Sequence, residues 1–356
     1  MRNPDELAPP APRDVTPPAA DGSDVPAAPL LSVRGLTTTF ATAAGSLRAV
    51  DDVSFDLGRD EVLGVVGESG SGKTVLSRTI MGLLPRSRVT VSGSVRLDGV
   101  EVVGASEDAM RQLWSTRVAM VFQDPMTSLN PVMRVGRQID EVLRVRLRLS
   151  PAAARARTLE LLSLVGIPSP AERYRAYPGQ LSGGMRQRVV IAIALAGSPS
   201  LLLADEPTTS LDVTIQAQIL NLLDDLTRRL HMSVILVSHD LGVVATRTST
   251  IMVMYAGRIV EIGATADVFA DHRMPYTRAL LECSPRVSNA PHTRLAVIPG
   301  RPPNLTALAP GCSFAPRCTY ATDRCRRETP PLVDAGAPGH RFACWNPLPA
   351  RGGSRP

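Results

Sequence analysis

Gly67-Glu68-Ser69-Gly70-Ser71-Gly72-Lys73-Thr74 decides how the rest of this chain is read. It has the pattern G-x-x-x-x-G-K-[ST], in which the backbone N–H groups of a glycine-rich loop form a nest for phosphate oxygens. The apolar run Glu61–Val66 before it reads as a strand, and Thr74–Leu84 after it reads as a helix. Strand, glycine loop and helix is the context that the pattern requires, because the helix start adds its positive end to the nest. Lys73 is the single lysine among 39 basic residues. Arginine is a wide planar fork, lysine a compact charge on a thin stem. A chain that uses arginine everywhere else needs the compact ammonium here, to reach the β and γ phosphates while Thr74 ligates Mg²⁺.

Further along, Leu201-Leu202-Leu203-Ala204-Asp205 is an apolar strand that ends in an acid, with Glu206-Pro207 next. Asp205 is the candidate second Mg²⁺ ligand, and Glu206 the candidate general base for an attacking water. Leu181-Ser182-Gly183-Gly184-Met185-Arg186-Gln187-Arg188 opens a helix that runs to Ala196, so Ser182 and the free N–H groups behind it form a second candidate anion site. Strands are expected at Leu31–Val33, Thr37–Phe40, Ala49–Leu57, Val89–Leu97, Val118–Phe122 and Val234–Val237, and helices at Ile139–Arg148, Pro151–Val165 and Ile215–Leu230. Alternating strands and helices predict an α/β core with a mostly parallel sheet.

In order along the chain stand the phosphate loop, Gln123, Leu181–Gln187, Asp205-Glu206, Ser210-Leu211-Asp212 and His239. This series resembles the ATP-binding subunits of ABC transporters over about residues 30–260. The resemblance implies a phosphate-loop NTPase cassette with a RecA-like core, an antiparallel β subdomain and a helical insert at about residues 126–185. It also implies a head-to-tail dimer of cassettes that sandwiches two ATP molecules. Phosphate would be held by Gly67, Ser69, Gly70, Ser71, Gly72 and Lys73, facing Ser182, Gly183, Gly184 and Gln187 of the other cassette. Mg²⁺ would be held by Thr74, Asp205 and Gln123, adenine by Phe40 or Val50. His239 would contact the γ phosphate, and Asp212 would couple the two sites, so that Glu206, His239 and Lys73 make up the catalytic group.

Three further stretches, Val121–Pro131, Met274–Leu280 and Ile298–Pro303, are similar to the oligopeptide/dipeptide/nickel importer group. That resemblance implies an ATP hydrolase on the cytoplasmic face of the membrane. It would work with a second ATPase, two membrane permeases and an extracytoplasmic substrate-binding protein. An exporter ATPase and a soluble ABC ATPase are the alternatives. Residues 1–29, rich in proline and alanine, are expected to form a disordered tail, residues 30–256 the cassette, and residues 257–356 a separate module.

Composition bounds these readings. The net charge is +6, but aromatic residues make up only 4% and the arginines are scattered, which argues against a nucleic-acid partner. No apolar run is long enough to span a membrane, and the N-terminal residues lack the build of a signal peptide. Of five cysteines, Cys312, Cys318, Cys325 and Cys344 cluster near the end, and Cys283 stands apart as a structural residue. Four thiolates suit zinc or an iron–sulfur cluster, with Arg317, Arg324, Arg326 and Arg327 available to offset their charge, and unligated thiols are the third reading. The group resemblance implies a [4Fe–4S] cluster there in some members.

Overall fold

The computed structural model describes residues 28–43, 45–122, 128–209, 211–284 and 297–350. Gln123, Ser210 and nearly all of the expected N-terminal tail lie outside them. Two sheets carry the fold. Strands β1 (Leu31–Thr42), β2 (Gly45–Leu57), β4 (Val89–Leu97) and β5 (Val100–Glu101) form an antiparallel sheet in the order β2-β1-β4-β5. The second sheet includes β3 (Val62–Val66), β6 (Val118–Val121), β7 (Leu201–Asp205), β8 (Ser233–Val237), β9 (Thr250–Tyr255) and β10 (Arg258–Ala264). It ends in a short hairpin of β11 (Val333–Asp334) and β12 (Arg341–Phe342), and its order is β11-β12-β10-β9-β3-β8-β7-β6.

The parallel strands are β6, β7, β8, β3 and β9. Both faces of such strands are covered, so β7 and β8 are buried at every position. Alternate residues feed different cores, as the two-residue repeat of a strand dictates. Leu201, Leu203 and Ile235 pack toward the antiparallel sheet with Phe55 and Leu97, while Leu202, Ala204 and Val234 pack toward Val189, Ile219 and Leu223. The insert appears as helices Val135–Arg146, Pro151–Leu164 and Pro170–Arg173. Ser150 caps the second of these, accepting from the Ala153 N–H, and Pro151 occupies its first turn.

Two expectations need correction. Leu31–Val33 and Thr37–Phe40 are one strand, whose pairing with β2 slips at Val33/Leu36, Leu36/Thr38 and Thr38/Thr39. Each slip breaks the alternation and makes one strand read as two. The expected boundary at residue 257 falls inside a hairpin. β9 and β10 pair antiparallel around Ala256 (φ 51°) and Gly257 (φ 82°), and β12 then pairs with β10, so the main sheet runs on into the C-terminal region.

Candidate nucleotide site

α1 (Lys73–Ile80) follows β3 through the glycine loop, and the loop's shape requires glycine at two points. Gly67 (φ 151°) and Gly72 (φ 103°) lie in the left-handed region, and a Cβ at either would come within 2.3 Å of a backbone oxygen, of Met254 or of Ala49. Lys73 is buried, and its ammonium donates to the carbonyls of Gly67 (2.8 Å) and Glu68 (3.0 Å). Burial lowers its pKa, while the charges of Glu206, Asp205 and Glu68 pull it back up. Ser71 is also buried, and its Oγ finds no hydrogen-bond partner among the described residues. A buried hydroxyl without a partner, next to a buried ammonium bonded only to carbonyls, fits a loop made for an anion.

β3, β7 and β8 run parallel, so their C-terminal ends bring three segments together. The Thr74 hydroxyl donates to Asp205 Oδ1 at 3.1 Å. Burial raises the Asp205 pKa, the Thr74 hydrogen bond opposes that, and the Glu206 charge adds to it. Two oxygen donors in contact, one a buried carboxylate, suit a hard divalent cation. Glu206 has a left-handed backbone (φ 47°), sparsely populated for a residue with a side chain, and its N–H donates to the Val237 carbonyl at 3.0 Å. Its Oε2 accepts from the Thr209 hydroxyl at 2.9 Å and lies 3.2 Å from His239 Nδ1. The carboxylate is thereby aimed by two side chains and by its own backbone.

The other expected site residues divide. Ser182 caps helix Gly183–Leu195, accepting from the Met185 N–H, and Asp212 caps helix Val213–Leu230, accepting from the Ile215 N–H. Ser182, Gly183 and Asp212 are exposed, and Gly184 is needed where a Cβ would come within 2.7 Å of Ile215. Among the described residues no hydrogen bond joins Ser182, Gly183 or Gly184 to the phosphate loop of the same chain. Ser69 and Gly70 lie in the loop, Gly70 with φ 79°. Phe40 is half-buried on β1. Val50 is a correction: it is fully buried in the core and offers no face to a base. Gln187 is another, because it is fully buried on the inner face of its helix and so is not presented to a nucleotide.

The cysteine expectation is also corrected. Among the described residues no three His, Cys, Asp or Glu side chains come together so as to hold a metal ion. Cys312, Cys318, Cys325 and Cys344 do lie near one another. Burial first, and then the neighbouring thiols, raises the pKa of Cys312 and Cys318 and pushes that of Cys344 up to about 12. No zinc or [4Fe–4S] site is therefore supported among the described residues. Two of the arginines expected to offset a cluster are engaged elsewhere. Arg324 pairs with Glu328 and stacks on Trp345, and Arg317 pairs with Glu68 of the phosphate loop.

That last contact joins a set of site residues which the sequence reading missed. Arg317 forks onto both carboxylate oxygens of Glu68, at 2.5 and 2.9 Å, and the Glu68 N–H donates to the Tyr276 hydroxyl at 2.8 Å. The Gly257 N–H, at the turn between β9 and β10, donates to the Ser71 carbonyl at 2.9 Å.

The chain is similar to known proteins. Residues 50–209 match the family described as ABC transporter, and residues 260–325 match the one described as oligopeptide/dipeptide transporter, C-terminal region. The chain is 48% identical to the oligopeptide transport ATP-binding protein OppD of Bacillus subtilis, covering 85% of each. It is 46% identical to OppD of Escherichia coli, covering 90% of this chain and 94% of that one. OppD of Mycobacterium bovis is 50% identical over 89% of this chain, which spans only about half (52%) of that relative's length. Among solved structures, a dimeric ATP-binding cassette in a post-hydrolysis state with ADP and Pi matches 66% of this chain and 98% of its own, with a TM-score of 0.59 at 27% identity.

Proposed function

This chain belongs to the oligopeptide/dipeptide group of ABC transporter ATP-binding proteins, and from that premise we propose that it hydrolyses ATP to power peptide import through a membrane permease. The observation that carries the reading is the meeting of Lys73, the Thr74–Asp205 pair and the Glu206–His239 pair at the C-terminal ends of the parallel strands.

The chemistry follows from the positions. Lys73 lies in the loop where polyphosphate would lie and would exchange its two carbonyl partners for phosphate oxygens. Glu206 accepts a proton from water as the water oxygen bonds to the γ phosphorus. The bond from that phosphorus to the bridging oxygen breaks, ADP leaves with the electron pair, and inorganic phosphate is the second product. His239 holds Glu206 in place and reaches toward the γ phosphate. Thr74 and Asp205 would hold magnesium, which draws charge from the phosphate oxygens. Ser182 and Gly183, exposed at a helix start, suit the γ phosphate of an ATP held by a second cassette, and Asp212 lies exposed at the neighbouring helix start. The dimeric state of the solved relative supports that pairing. Nucleotide that touches both cassettes favours the closed state over the open one, so binding drives closure and hydrolysis resets it.

Among the described residues no helix is long and apolar enough to cross a membrane. A peripheral place on the cytoplasmic face, against two permease subunits fed by an extracytoplasmic binding protein, fits the group. The C-terminal match favours import over an exporter or a soluble ATPase. Lys73→Ala tests the reading. In membranes that carry the assembled transporter, it should weaken ATP binding about a hundredfold and stop ATP-dependent peptide uptake. Unchanged ATP affinity and hydrolysis would refute the site.

A further inference from the structure

All three polar groups of Glu68, inside the phosphate loop, are held. Its carbonyl accepts from Lys73, its N–H donates to Tyr276, and its carboxylate takes the fork of Arg317. Two of the three holders lie beyond the last strand of the nucleotide-site core. Arg317 has no freedom to leave. Its Nε donates to the Pro299 carbonyl at 2.8 Å, and its remaining N–H groups reach the Tyr255 hydroxyl at 3.3 Å and the Ile298 carbonyl at 3.4 Å. Its side chain is only 5% exposed. Tyr255, Tyr276 and Phe314 pack ring against ring beside it, with centroids 4.5 to 5.3 Å apart.

A carboxylate in this loop is a problem that the pairing solves. Incoming polyphosphate is strongly anionic, and an unpaired Glu68 would repel it and compete for the Lys73 ammonium, which already feels the Glu68 charge. A bidentate guanidinium offsets that charge and fixes the side chain, and the Tyr276 hydroxyl fixes the backbone of the same residue. Tyr276 belongs to helix Pro275–Cys283, and Arg317 stands between Cys312 and Cys318. The C-terminal region therefore reaches the phosphate loop through charge as well as packing.

We propose that Arg317 and Tyr276 are positioning residues for the nucleotide site, through which the C-terminal region sets ATP affinity by pairing Glu68 and fixing the loop. The proposal rests on the reading of the loop as an ATP site. The wild-type response to ATP and its loss in Lys73→Ala report on that reading, whereas ratios among the variants below report on this one.

The test is the ATP dependence of hydrolysis by the assembled transporter. Arg317→Ala should raise the KM for ATP about tenfold with kcat changed less than about twofold. Adding Glu68→Gln to it should return KM to within about threefold of wild type, because the charge that needed offsetting is gone. Arg317→Lys, which keeps the charge but cannot make the fork, should fall between wild type and Arg317→Ala. Tyr276→Phe, which removes one hydroxyl and keeps the ring packing, should raise KM about threefold. An arginine that only braces the fold would lower the amount of assembled complex, leave KM unmoved and gain nothing from Glu68→Gln. An unchanged KM in Arg317→Ala, or equal KM values in the single and double variants, overturns the proposal. Should Arg317→Ala fail to assemble, an unchanged KM in both Arg317→Lys and Tyr276→Phe overturns it as well.

Discussion

The phosphate loop is held on its two sides by opposite kinds of structure. On the catalytic side, groups are left wanting. Ser71 Oγ has no partner among the described residues, Lys73 is bonded only to carbonyls, and Glu206 has a left-handed backbone. On the C-terminal side, every donor of the Arg317 guanidinium is used. The Arg317 guanidinium is distributed over Glu68, Tyr255, Ile298 and Pro299. Unsatisfied, strained groups are costly unless a ligand completes them, and saturated buried groups resist rearrangement. One side is made to receive, the other to stay fixed while the first changes.

The largest test falls on the receiving side. Glu206→Gln keeps the shape but removes the proton acceptor, and should lower hydrolysis by about 10²- to 10⁴-fold with ATP binding retained. Single-turnover assays with the cassette pair caught closed on ATP would agree. Near-normal turnover would remove Glu206 as the base and with it the functional meaning of its strained backbone.

The next falls on the fixed side. The Cys344 thiol is pushed from an ordinary 9.0 up to about 12, chiefly by burial. Thiolate is the reactive species, so alkylation at pH 8 should run about a thousandfold slower than for a free cysteine and rise about tenfold per pH unit above that. The folded state keeps this proton past the pH at which the unfolded thiol loses it. Stability is therefore intact below about pH 9 and falls as pH rises toward 12. Rapid labelling at pH 8 would show that the thiols are not packed as described. Stoichiometric iron or zinc in protein purified without oxygen would show that the region is organised around a metal.

The two sides also differ in how far the sequence disclosed them. The receiving side was legible because its parts are short and contiguous. Gly67 and Gly72 are required by local backbone geometry, Asp205 ends an apolar strand, and Ser182 and Asp212 are caps that act within three residues of themselves. Val50 and Gln187 were misplaced because spacing does not say which face of a strand or helix points inward, and both point into the core. The fixed side depends on pairings across long stretches of chain. Glu68 and Arg317 are far apart in sequence, and neither residue type at its position signals the other. Four clustered cysteines are a stronger local signal than one arginine among 38, so the sequence pattern points to the thiols and not to Arg317. The hairpin at Ala256-Gly257 escaped because Ala-Gly is a weak turn signal, and the apolar strands beside it do not announce antiparallel pairing.

The smallest test asks whether the fixed side is one body or two ties. Besides Arg317, the region is pinned by His340, whose Nε2 lies 3.0 Å from Glu261 Oε1 with both side chains almost wholly buried. Glu261 also accepts from the N–H groups of Arg273 and Met274, so one carboxylate joins β10, the loop before helix Pro275–Cys283 and the turn before β12. His340→Ala removes a buried hydrogen bond and should cost about 1–3 kcal/mol, read as a lower melting temperature of the purified transporter. The KM for ATP should stay within about twofold of wild type, because Glu68 keeps its partners. If KM instead rises as far as in Arg317→Ala, the loop answers to the docking of the whole region, and the Arg317–Glu68 pair loses its separate role. If stability falls and KM holds, the two ties divide the work: His340 keeps the region on the sheet, and Arg317 sets the loop that it touches.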